Sequence, residues 1–299
     1  MIEYRVVADF GDLCGECPVW DPAAETLYCT DLTGNRFYSY QPASGQSRIV
    51  NQGLQISGFR RNRQGGFVVA SHTGIHLWDG AGDLSLVVDE VSGAKCVLND
   101  CAADPCGRLL AGSTFYDPAG GYPLGALFAI ERDGSARILD HGFHLANGIG
   151  FSPGGRTLYV ADSIVRRIFA YDYNPAAGTA GNRRVFVAVP DDEGIPDGLT
   201  VDAEGFVWSA QWYGSCVVRY DPDGKAERRI VLPAKQISSV TFGGPDLTDI
   251  FVTSAAQSEP TPAMPGGYDP VNGLFGGQLY CVGTNVHGKP EPLVDIQPH

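Results

Sequence analysis

The stretch "LANGIGFSPGGRTLYVADS", residues 145–163, holds the pattern that decides the fold. "SPGG" is turn chemistry, because proline presets φ and glycine supplies the positive φ that tight turns need. "TLYVAD" after it is a short apolar strand. Asn147-Gly148, at the head of the stretch, belongs to neither. Asn-Gly is a common hairpin turn, so its place at the start of a strand calls for a different use.

The unit recurs along the chain. "WDPAAETLYCTD" covers 20–31, "RNRQGGFVVASH" 61–72 and "ADPCGRLLAGST" 103–114. "FSPGGRTLYVAD" covers 151–162, "VDAEGFVWSAQW" 201–212 and "FGGPDLTDIFVTSA" 242–255. Most are followed by a second strand, such as "FYSYQPASG" or "VVRYDPDG", that runs into another turn. A period of roughly 40 to 50 residues suits the four-stranded blade of a propeller. Six units predict an all-β fold: a six-bladed β-propeller of four-stranded blades, one domain over 1–299. "EYRVVADF" at 3–10 precedes the first unit. It is expected to join the last blade and close the ring, which removes exposed strand edges. A β-sandwich or an open β-repeat array accounts less well for six units of this length.

Composition agrees. The 299 residues are 43% apolar, with 39 glycines and 20 prolines, and no long stretch has helical periodicity. A net charge of −13 argues against nucleic-acid or anionic-membrane partners, which need basic surface. "MIEYRVVADFGDL" has no signal pattern, and no apolar run approaches membrane-spanning length. The expectation is a cytoplasmic protein with no obligate protein partner evident. Its eight cysteines are then reduced thiols. "CGEC", Cys14 to Cys17, has the spacing of a redox or zinc motif but no matching second pair, and small buried residues are the better reading.

With the six turns in one frame, the residue five positions before each turn is Glu16, Ser57, Asn99, Asn147, Asp197 and Ser238. Every one carries a side-chain oxygen. Equivalent positions in successive blades form a ring about the axis, and strand starts lie at one mouth of the channel. The plain reading is loop capping, strongest for the two serines. Two carboxylates and two amides in one ring point instead to a hard divalent cation. The chain should return to the same mouth at Asp31, His72, Phe115-Tyr116, Asp162, Gln211-Trp212-Tyr213 and the segment after Ser254. Aromatic and hydrogen-bonding groups there suit a small polyol. His72 reads as a hydrogen-bonding rim residue, since no second histidine sits at ligand spacing.

These residues also carry a resemblance. "GECPVWD", "LNDCAADPCGRLLAGS", "ANGIGFSPGGRTLYVADS", "PDGLTVDAEGFVWSAQW" and "FGGPDLTDIFVTSA" resemble, in order over roughly 14–255, the signatures of a known family. It is the family of gluconolactonase, regucalcin (senescence marker protein) and luciferin-regenerating enzyme. The resemblance implies a six-bladed propeller with one divalent metal in the channel mouth. It puts the metal ligands on Glu16, Asn147 and Asp197, and a substrate contact on Asn99. The chain departs from the family at Cys17, often glycine there, and at Val97, often basic. The stretch "FYDPAGGYPLG" at 115–125 also differs from versions associated with glucono-type substrates.

The implied activity is hydrolysis of a sugar lactone, an aldonolactone of a pentose or hexose, to the sugar acid. A cation would polarise the ester and stabilise its oxyanion. Asp197 is the candidate catalytic residue, and His72, Tyr116 and Trp212 join Asn99 as candidate substrate contacts. Oxygen ligands fit calcium, magnesium or manganese, and the resemblance adds zinc or iron. Two other readings stay open: a phosphotriester or aryl-ester hydrolase on the same propeller, and a non-catalytic propeller that binds a cation or a protein. No G-x-S-x-G motif supports a serine hydrolase.

Overall fold

Turn-punctuated apolar runs of five to eight residues can bury both faces only by stacking sheet on sheet, and six such sheets close on themselves here. The computed structural model describes residues 3–114, 124–257 and 260–297. The described residues contain no helix. They form six four-stranded antiparallel sheets and one two-stranded hairpin, Glu90–Val91 with Ala94–Lys95.

The innermost strands are, in order, Gly15–Asp21, Gly58–Arg61, Leu98–Ala103, Ala146–Phe151, Ile195–Val201 and Ile237–Gly243. Each packs beside the next, and the last returns to the first. The sixth blade takes its outermost strand from Tyr4–Asp9, which pairs antiparallel with Gln278–Gly283. The expected closure by the N-terminal strand is therefore observed, and it covers the edge that an open last blade would expose.

Apolar clusters seal the seams between blades. Val68 and Ile75 of the second blade meet Leu98 and Cys101 of the third. Trp208 of the fifth meets Phe242 of the sixth. At the closing seam Trp20 stacks on Phe251, centroids 6.0 Å apart and planes at 10°. Such a pair adds about 0.5–1.5 kcal/mol beyond its area burial.

The turn end of the ring is shut by the last part of the chain. The Val294 N–H donates to Arg61 O, the Asp295 N–H to Gly107 O, and the Gly288 N–H to Leu247 O. These partners lie in or beside the turns of the second, third and sixth blades. The strap thus crosses the far face, and its Glu291 caps the axial channel, accepting from Lys289 Nζ at 3.2 Å. Nothing in the repeat foretold this segment, because it pairs with turns and not with a strand.

Candidate active site

The opposite mouth is built by bulges. In five of the six inner strands the pairing register slips at or beside the ring position: Glu16/Val19, Leu98/Asp100, Asn147/Ile149, Pro196/Leu199 and Ile237/Ser239. A bulge re-aims side chains that strict alternation would send into the blade. Asn147-Gly148 is one of them, which answers why that pair opens a strand. Gly148 has φ +24°, and a Cβ there would meet Asp197 O at 2.4 Å. Cys17, in the equivalent bulge of the first blade, takes φ 47° with a side chain attached.

Four of the ring residues reach one cavity of about 230 Å3: Glu16, Asn99, Asn147 and Asp197 all line it. Ser57 and Ser238 do not line it. The Ser57 hydroxyl donates to Ala70 O at 3.0 Å, and Ser238 Oγ donates to Gly15 O at 2.5 Å. Those two act as strand-capping groups.

The amides are oriented by their nitrogens. Asn99 Nδ2 donates to Ala146 O at 3.1 Å, and Asn147 Nδ2 to Ser163 Oγ at 3.3 Å. Ser163 in turn donates to Pro196 O at 2.7 Å, tying the fourth blade to the fifth just beside Asp197. Both NH2 groups turn to protein acceptors; Asn147 Oδ1 already accepts from the Gly148 N–H at 3.1 Å, so its second lone pair is the one left for a ligand.

The carboxylates lack matching donors. Asp197 is 4% exposed, and its Oδ1 has no hydrogen-bond partner among the described residues. Burial and the charge of Asp100 push the Asp197 carboxyl well above its ordinary range, against the pull of the Gly198 N–H and the Asn147 amide. Burial, then the charges of Asp197 and Asp100, do the same to Glu16, opposed by the Cys17 N–H. A buried and a half-buried acid held up in this way at one cavity favour a positive charge between them.

The donor set therefore fits a hard cation: two carboxylates, amide oxygens and an orphaned buried oxygen. Among the described residues no three His, Cys, Asp or Glu side chains group closely enough to hold a metal alone. Amides have to complete the shell.

The rim differs from its expected form. Trp212 lines the cavity. His72 does not. It sits in the tight connection between Ser71 and Gly74, which are paired, and its exposed ring meets Gln55 Nε2 at 2.8 Å. Tyr116, with Phe115, lies outside the described residues. Asp31 and Asp162 turn inward. Asp31 accepts from the Cys14 and Gly34 N–H groups, both at 2.9 Å, and from Arg36; Asp162 accepts from the His144 N–H at 2.9 Å. Both are fully buried and organise the loop that enters the inner strand of their own blade, because the N–H groups of that loop are their nearest donors.

Sequence reasoning missed Cys14, Ser163 and Gln257, which also line the cavity. Ser163 directly follows the flagged Asp162, and Gln257 falls in the flagged segment after Ser254. Cys14 had been read only as half of a possible motif. All eight cysteines are free, Cys17 is buried, and no disulfide joins the pair.

A six-bladed ring with a mouth of this chemistry defines a class, and sequence comparison gives the family. Residues 14–256 match the model described as the SMP-30/Gluconolactonase/LRE-like region, and the chain belongs to that family. It is 33% identical to a pentonolactonase of Haloferax volcanii over 97% of this chain and 98% of that protein. It is 31% identical to a 6-deoxy-6-sulfogluconolactonase of Pseudomonas putida over 93% and 94% of the two chains. Among solved structures, a calcium-binding protein, regucalcin, from Agrobacterium tumefaciens superposes with a TM-score of 0.84 at 28% identity. That match covers 98% of this chain and 97% of the other.

Proposed function

We propose that the protein hydrolyses a sugar lactone, an aldonolactone of a pentose or hexose, to the open sugar acid. One divalent cation held by Glu16, Asn147 and Asp197 would assist. The observation that carries this reading is the convergence of those three residues and Asn99 on one cavity floor, with Asp197 Oδ1 buried and unpartnered. Family membership and the lactonases among its relatives support it.

A cation bound there supplies Lewis-acid polarisation of the ester carbonyl. The chain's own groups do the rest. Asn99, fixed by its NH2 group, presents an oxygen that orients the lactone hydroxyls, while Asn147 turns its oxygen to the cation site. Asp197, which lines the cavity and whose Oδ1 has no partner among the described residues, accepts a proton from the attacking water. The water oxygen bonds to the carbonyl carbon, the ring C–O bond breaks, and the departing ring oxygen takes up a proton as the hydroxyl of the product. Trp212 and Leu145 line the cavity and limit competing water.

The test is lactone hydrolysis by acid release, after chelation and again after return of calcium, magnesium, manganese or zinc. Activity should vanish on chelation and return with at least one cation. Saturating cation at 100 times its Kd should raise unfolding stability by about 2.7 kcal/mol in the wild type and by almost nothing in Asp197→Ala. A chelated enzyme as active as the loaded one would sink the cation's part. Aryl esters and phosphotriesters turned over in preference to lactones would sink the substrate.

A further inference from the structure

The cavity has an acidic floor and neutral walls. Leu32, Leu145, Ile195 and Trp212 present carbon, and Thr33 and Gln257 present uncharged polar groups. No Lys, Arg or His lines the cavity among the described residues. The stretches 115–123 and 258–259 contain no Lys, Arg or His in their sequence either.

The arginines near the mouth are already committed. Arg36 donates to Asp31 at 2.6 Å, to Asp12 at 3.2 Å and to the carbonyls of Phe10 and Gly11. Arg166 is 8% exposed, and its guanidinium donates to the carbonyls of Pro190, Glu193, Gly194 and Ala263. Arg60 borders a separate void of about 20 Å3 with Asp100 and Glu291, and donates to Cys17 Sγ at 3.1 Å and Phe59 O at 2.7 Å. Arg36 and Arg166 are held by acceptors of the fold, and Arg60, whose Nε has no partner among the described residues, lies in that separate void and does not line the cavity.

A substrate group that is itself anionic, held at the wall away from the cation site on the floor, would therefore shed its water and meet no basic side chain among the described residues. Burying an unpaired charge is far costlier than burying a C–H surface. A sugar ring whose remote end is uncharged and rich in carbon instead finds the Trp212 and Leu145 side chains.

We infer that the site selects uncharged lactones with a short or deoxygenated remote end, of the pentono- or 6-deoxyhexono- type. It excludes lactones that carry a carboxylate, sulfonate or phosphate at that end. The inference rests on the lactonase reading, and it separates this chain from a relative named for a sulfonated lactone. The neutrality of the wall is the specificity determinant, and Thr33, exposed at the mouth and lining the cavity, is the position where it can be altered.

The experiment measures kcat/KM, corrected for spontaneous opening, on three lactones at one pH. They are a pentonolactone, a 6-deoxyhexonolactone and a hexonolactone bearing a sulfonate at C6. The two neutral lactones should exceed the sulfonated one at least 100-fold. Thr33→Arg should narrow that gap at least tenfold, mostly through KM of the sulfonated lactone. A sulfonated lactone within tenfold of the neutral ones in the wild type overturns the inference while leaving the lactonase reading intact. So does a 100-fold gap that Thr33→Arg does not move. If no lactone of either charge is opened, the lactonase reading itself fails.

Discussion

Asp197 and Asp202 stand at opposite ends of one inner strand, Ile195–Val201, and both are buried. Their surroundings are opposite. Asp202 accepts from the Glu204 and Phe206 N–H groups, from Trp208 Nε1 at 2.8 Å and from Arg219 Nε at 2.9 Å. Asp197 leaves Oδ1 with no partner among the described residues, and burial pushes its carboxyl well up. The far end of the blade spends its aspartate on its own turn and on a buried guanidinium. The mouth end keeps one with spare valence. Burial alone does not separate a structural acid from a chemical one; the count of donors does.

That contrast can be broken from either side. Asp197→Ala should lower kcat/KM at least 1,000-fold, about 4 kcal/mol of transition-state stabilisation, with a stability equal to or above wild type in chelator. A variant that unfolds in chelator would mean that Asp197 is a structural acid after all. Asp202→Ala should do the reverse. It removes the one fully buried carboxylate that Arg219 pairs with, leaving the half-exposed Glu204 and Glu227, and orphans the Trp208 Nε1 and turn N–H donors, and should cost about 3–5 kcal/mol in denaturant unfolding. Its folded fraction should retain wild-type KM.

Two glycines sharpen the same comparison. Gly205, in the far turn of the fifth blade, has φ +88° and open space, its would-be Cβ meeting only Pro153 Cδ at 3.7 Å. Gly205→Ala should cost about 1 kcal/mol, the price of a left-handed alanine. Gly148 combines φ +24° with a clash onto backbone, Asp197 O at 2.4 Å. Gly148→Ala should cost about 2–3 kcal/mol and also lower cation affinity, because it displaces the strand that carries Asp197. Equal costs and unchanged cation binding, read by calorimetry, would remove the bulge from the account of the site.

The ring and its closure were legible in the sequence because they rest on local chemistry. Turn residues before short apolar strands repeat six times, and frame alignment then brings Glu16, Asn99, Asn147 and Asp197 to one level. What stayed hidden depends on side-chain direction and on long-range partners. Asp31 and Asp162 were placed at the mouth, but whether they face it or the loop behind is decided by N–H groups whose position no spacing encodes. His72 does not line the cavity, and the Gln55 side chain that holds its ring is a partner no spacing encodes. Arg60 and Asp100 pass each other deep in the channel although they come from different blades, and the strap over the far face has no counterpart in the repeat.

Asp12 gives a third aspartate to set beside these two, and its effect is the smallest expected. It is 3% exposed and shares Arg36 with Asp31, which holds the guanidinium more closely at 2.6 Å against 3.2 Å. Burial first, then the charge of Asp31, raises the Asp12 carboxyl to about 7, while the Tyr38 hydroxyl and then Arg36 pull the other way. The unfolded value is near 3.8. Between those limits the folded chain holds a proton that the unfolded chain has released. The stabilisation is complete below pH 4 and is lost as pH rises through 7, with a slope of up to about 1.4 kcal/mol per pH unit. Asp12→Asn keeps the neutral form at every pH and should flatten that slope. Unfolding followed by denaturant at pH 5, 6, 7 and 8 reads the difference. Parallel curves for the variant and the wild type would show that Arg36 serves Asp12 as fully as it serves Asp31.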